Sequence, residues 1–135
     1  MTKVKCSYLG DLNCEAIHLQ SGSLIKTDAP LDHFGKGESF SPTDLLATSL
    51  GTCLLTIMAI KAKLKGFELE GIYLHIEKLM TQNIERKIKE LIIDIFIPGG
   101  TSNKIIDFLK KASEDCPVTR NLSQEIDIKI SWHHE

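Results

Sequence analysis

Arginine is scarce in this 135-residue chain, and so is any excess of charge. Only Arg86 and Arg120 occur, and the formal net charge is −2 at pH 7. Nothing electrostatic therefore draws the chain to nucleic acid or to an anionic membrane. No basic stretch followed by an apolar run stands at its start, so no signal peptide is expected and a cytoplasmic location is. The apolar run Leu45–Ile60 is short of a bilayer span and is broken by Thr48, Ser49 and Thr52. Four cysteines are present, Cys6, Cys14, Cys53 and Cys116, but no CxxC pair. A structural zinc site then lacks paired ligands, and no metal or organic cofactor is expected. In a reducing compartment a full disulfide framework is also excluded. One redox pair or four buried thiols remain. Repeats and low-complexity segments are absent.

What is present is an ordinary globular composition, 25% charged and 42% apolar, at a length that suits one domain over residues 1–135. Its centre is residues 41–65, SPTDLLATSLGTCLLTIMAIKAKLK, which reads as one long helix. Ser41 supplies the N-cap, Pro42 the first helical position, and Asp44 stands three residues after the cap. Lys61, Lys63 and Lys65 crowd the last turn, where the helix dipole favours cations, and Gly66 closes it. The helix is apolar or small nearly all round, which predicts burial on most sides.

Before it, residues 3–9, 12–19 and 23–27 alternate as three strands of a meander. Cys6 and Cys14 fall in that alternation and read as core or interface filler. His18 reads as a satisfied polar residue at a strand end. Residues 28–40 form a loop, with Lys36 between Gly35 and Gly37, and such loops often carry function. After the helix, 70–80 and 84–97 read as a long hairpin, with Ile72, Leu74 and Ile76 on one face and Tyr73, His75 and Glu77 on the other. Residues 102–114 have helical spacing. Cys116-Pro117 opens a short segment, residues 124–132 alternate as a last strand, and His133-His134 reads as a polar tail. The order βββ–α–ββ–α–β argues for α+β rather than a parallel βαβ sheet. One subunit has too little sheet to cover such a helix, so a dimer sharing its helices is expected.

Two thiols stand out by context. Cys116 precedes a proline that suits a helix start, where backbone N–H groups favour a thiolate. Cys53 lies too far along its helix for that dipole to act on it, and apolar burial raises a thiol's pKa. The chemistry open to such a pair is attack of a thiolate on a peroxide O–O bond. A second thiol then condenses with the sulfenic acid to a disulfide, which an external thiol reduces. The alternative is a buried cysteine acting only as a small hydrophobe. His33 in the loop is a further candidate to approach Cys53, or a solvated residue.

The run PTDLLATSLGTC, followed much later by Cys-Pro-Val and a last strand, resembles the OsmC/Ohr family, the osmotically induced and organic hydroperoxide resistance proteins. The resemblance spans nearly the whole chain. It implies an OsmC-like fold, with antiparallel sheets packed around a long buried central helix and a second helix in an intertwined homodimer. It implies a thiol-dependent peroxidase acting on organic hydroperoxides with an external thiol or dithiol reductant, in oxidative stress defence. By position Cys53 matches the peroxidatic cysteine and Cys116 the resolving one. Members of the family carry a glutamate ten residues before the first cysteine, where this chain has Thr43. They also use an arginine from the N-terminal strands or the following loop, where this chain has none. Lys26, Lys36 and Arg120 are the candidate cations in its place, and Glu38 the candidate carboxylate. A lysine brings charge without the planar fork of arginine. The competing reading is a redox-inert dimer of the same fold that binds a small apolar molecule.

Overall fold

The computed structural model describes residues 1–134. The chain forms two compact units, residues 1–46 and 47–135, with the long helix crossing the boundary.

In the first unit, strands β1 (Val4–Gly10), β2 (Asn13–His18) and β3 (Leu24–Asp28) form an antiparallel sheet in that order. Asp11 and Leu12 take left-handed φ values of 53° and 62° to make the tight β1–β2 turn. His18 is satisfied at its strand end, as expected, with Nδ1 2.6 Å from the Ser21 hydroxyl. The meander's apolar alternation buries little within the single chain. Val4, Tyr8, Leu24 and Ile25 are exposed. Cys6 is exposed and Cys14 half-buried, so neither fills a core here. The loop after β3 contains one turn of 3-10 helix, Leu31–His33. Asp28 ties the loop back. Its N–H donates to the Phe40 carbonyl at 3.0 Å, and its Oδ2 accepts from the Glu38 N–H at 3.0 Å.

Helix α1 spans Pro42–Leu64. Its start is a reciprocal capping pair. The Asp44 N–H donates to Ser41 Oγ at 3.1 Å, and the Ser41 N–H donates to Asp44 Oδ2 at 2.9 Å. Its end is a Schellman turn with Gly66 at φ 90°, where Phe67 N–H reaches the Ala62 carbonyl and Gly66 N–H reaches that of Lys63. At 23 residues α1 is long and apolar enough to cross a membrane by length and composition, a test that core helices also pass. The expectation of burial on most sides is corrected for the single chain. Ala47, Leu50, Gly51, Leu54, Met58 and Ala62 form one buried stripe, while Ser49, Thr52, Thr56 and Ala59 are exposed.

In the second unit, β4 (Tyr73–Met80) and β5 (Ile88–Ile97) form an antiparallel hairpin. The expected start of β5 at residue 84 is too early. Thr81 receives the Lys87 N–H and donates its hydroxyl to the Glu85 carbonyl, which folds residues 81–87 into a turn and leaves Ile84 outside. Helix α2 (Asn103–Ser113) is capped by Ser102, whose side chain accepts the Ile105 N–H. Helix α3 (Pro117–Asn121) follows, then β6 (Asp127–His134). His133 and His134 belong to that strand rather than to a tail, and His133 Nε2 lies 2.7 Å from Asp94 Oδ1.

Strand β6 pairs with β5 in parallel. The sheet is therefore mixed, and the expectation of antiparallel sheets alone is corrected here, because α2 and α3 supply the crossover that a parallel pair needs. The architecture remains α+β. The core of this unit lies between the sheet and α1, where Leu91, Ile93, Ile95 and Ile97 from β5 meet Leu50 and Leu54. Gly51 lets the helix approach β4, since a Cβ there would sit 3.0 Å from Leu74 Cδ1.

Candidate active site

Cys53 and Cys116 meet in the second unit. Cys53 lies mid-way along α1, one turn after the buried Leu50, and is itself half-buried. Cys116 is the N-cap of α3, with extended backbone at φ −70° and ψ 115°, and Pro117 holds the first helical position. Its side chain is 0% exposed and belongs to the core cluster against which Cys53 packs. Both thiols are free.

The two sulfurs interact directly, and they differ. Burial pushes the Cys53 thiol up, the hydrogen bond to Cys116 adds to that, and only the Val118 N–H opposes. Burial also pushes Cys116 up, but the Cys53 S–H, the Thr119 hydroxyl, and the Thr119 and Val118 N–H groups outweigh it. Cys116 is thus held below the ordinary thiol value. The Cys116 side chain makes no regular capping hydrogen bond to α3, so these N–H groups act on it as nearby dipoles.

Arg120 does not face the thiols as its best partner. Its guanidinium donates to Asp115 Oδ1 at 3.1 Å, and Lys61 from α1 pairs with the other oxygen of the same carboxylate. Lys61, followed by Arg120, holds the Asp115 carboxyl below its usual range. This three-charge tie joins α1 to the residue immediately before Cys116. Lys26 is exposed on β3 opposite Glu15, and Lys36 and Glu38 are exposed in the loop of the first unit. Of the expected site residues, Cys53, Cys116 and Arg120 stand in the second unit, and Lys26, Lys36 and Glu38 in the first.

Three contributors escape a reading of the sequence. Thr119 is the third residue after the Cys116 cap, a spacing at which side chain and cap often meet. Asp115 adjoins a cysteine, which was its only signal. Lys61 reads as dipole-complementing charge, and nothing local marks its partner. Among the described residues no group of three or more His, Cys, Asp or Glu side chains is placed to hold a metal ion.

Comparison with known proteins places this arrangement. No curated protein matches. A crystal structure from Psychrobacter arcticus 273-4, of a protein named for osmotic stress induction and a detoxification response, is 41% identical with a TM-score of 0.90. That match covers 98% of this chain and 96% of the other. An OsmC-like protein of Mycoplasma pneumoniae is 18% identical with a TM-score of 0.81, covering 99% and 96%. An organic hydroperoxide resistance protein of Legionella pneumophila is 21% identical with a TM-score of 0.77, covering 98% and 96%. The family model for the OsmC-like protein matches residues 35–131, which hold both cysteines, and this chain belongs to the OsmC-like family.

Proposed function

We propose that this protein is a thiol-dependent peroxidase that reduces organic hydroperoxides by a two-cysteine cycle, in defence against oxidative stress. The observation that carries this reading is the meeting of two free thiols from distant parts of the chain in one apolar cluster. The names of the Psychrobacter and Legionella proteins support the stress and hydroperoxide parts of it. Cys53 is the reachable thiol and attacks the peroxide. Its sulfenic acid is then resolved by Cys116, and an external thiol or dithiol reduces the disulfide. The protein acts in the cytoplasm, where such reductants are held.

A homodimer is part of the proposal. Along the open face of α1 the Thr52 and Thr56 hydroxyls bond back to the Thr48 and Thr52 carbonyls at 2.8 Å each, which leaves methyl groups facing outward beside Ala59. A second copy of α1 suits that smooth face.

The test follows cumene hydroperoxide consumption with a dithiol reductant. Turnover is expected in the wild type and none in Cys53→Ser, and activity that survives the substitution overturns the proposal. A second reading is a redox-inert dimer that binds a small apolar ligand. A hollow of about 390 Å³ away from the cysteines favours it, lined in part by Phe67, Leu69, Ile97, Pro98, Ile105 and Leu109. Binding of an apolar probe that Leu109→Lys abolishes, with no disulfide formed on peroxide addition, would favour that reading.

A further inference from the structure

We infer that Cys116 is more than the resolving thiol: it is the base that takes the Cys53 proton, standing where a cation would otherwise activate the nucleophile. The inference rests on the peroxidase reading and deepens it. Its geometry is a difference in access. Cys53 is half-buried and Cys116 is 0% exposed, so a hydroperoxide reaches Cys53 first. Something must then remove the Cys53 proton. The start of α1 is more than two turns away, beyond the reach of its dipole. Within the second unit, Lys61 and Arg120 are both bound to Asp115. The strands packed around the thiols present Leu74, Ile76, Leu91, Ile93, Ile95, Ile128 and Trp132, and α2 presents Ile106, none of which titrates. The group that faces Cys53 is the Cys116 sulfur, with the Thr119 hydroxyl directed at it from α3. The opposite displacement of the two thiols agrees with a resting charge on Cys116 and a proton on Cys53.

The cycle balances without a further base. The Cys53 proton passes to the Cys116 thiolate. The Cys53 sulfur attacks the terminal peroxide oxygen, an S–O bond forms, and the O–O bond breaks. Cys53 is oxidised to a sulfenic acid as the peroxide is reduced to an alkoxide. Cys116 returns its proton to the alkoxide, which leaves as the alcohol. Now a thiolate again, Cys116 attacks the sulfenic sulfur. The S–S bond forms, hydroxide departs and is protonated by solvent, and a dithiol later reduces the disulfide.

The test uses the full chain with Cys6→Ser and Cys14→Ser, so that only the pair titrates. Thiolate absorbance against pH is read without peroxide, and the rate of the first oxidation by cumene hydroperoxide is read in a single turnover by intact mass. A thiolate step below the ordinary thiol value is expected, and Cys116→Ser should remove it. A resolving role alone leaves the first oxidation untouched. A base role predicts that Cys116→Ser slows it about 100-fold at neutral pH, with recovery as pH rises past the Cys53 pKa. Thr119→Val changes only an exposed residue and is expected to raise the step and slow the first oxidation about tenfold, which covers the case where Cys116→Ser does not fold. An unchanged first-oxidation rate in both variants overturns the inference and leaves the peroxidase reading standing. If the parent chain shows the low step yet never oxidises, the peroxidase reading falls. Proton transfer is then read with iodoacetamide, and equal alkylation of Cys53 with and without Cys116 overturns it.

Discussion

From Leu91 onward strand β5 buries every second side chain, whereas strand β1 in the first unit buries none. Both segments alternate in sequence. Strand β5 is central in its sheet, paired on both sides, with one face against α1. Strand β1 lies at a sheet edge, and in the single chain its apolar residues Val4 and Tyr8 remain exposed. Alternation reports the pleat of a strand, and burial depends on what is laid against the face. A three-stranded sheet with its apolar residues open is marginal alone.

The largest expected effect breaks or confirms that contrast directly. Ile93→Ala removes a fully buried side chain and should cost about 2–5 kcal/mol in urea unfolding. Leu24→Ala in the first sheet, at 49% exposure, should cost under about 0.5 kcal/mol in an isolated chain. If Leu24→Ala costs as much as Ile93→Ala, and the cost grows with protein concentration, the first sheet is covered by a second copy in solution.

A smaller effect is expected where α1 meets β4. Gly51→Val would drive its side chain into Leu74 and Ile76 and should cost about 1–3 kcal/mol by overpacking, read as a lowered melting temperature. Relief of that cost by Leu74→Ala would locate the strain at this contact.

The smallest effect concerns charge. The Asp115 carboxyl is held down by Lys61 and Arg120, so its stabilising contribution is present above the ordinary carboxylate pKa and is lost as pH falls through the depressed value. Asp115→Asn should flatten stability against pH over that acid window. It should also weaken the salt dependence, with little change at high ionic strength, because these side chains are partly exposed. An unchanged pH profile would show that the tie contributes nothing to folding.

Much of the fold was legible locally. The capping pair of Ser41 and Asp44, the closing Gly66, and the inward face of Ile72, Leu74 and Ile76 follow from short-range rules. Cys53 and Cys116 were legible as candidates because one sits in an apolar helix and the other precedes a proline. The parallel pairing of β5 with β6 was not, since register between strands joined by a crossover depends on how α2 and α3 pack. Nor were the engagement of Arg120 by Asp115 and the role of Thr119. Those depend on contacts between distant segments that no local spacing encodes.

The sequence by itself therefore determined the elements, their caps, and the presence of one thiol on a long apolar helix and another at a helix start, because each of these rests on neighbouring residues. Only the tertiary structure decided which sulfur Cys53 faces, which carboxylate occupies Lys61 and Arg120, and on which thiol the negative charge is easier to hold. Burial and charge pairing are properties of surroundings assembled from several segments, and the surroundings exist only once the chain has folded.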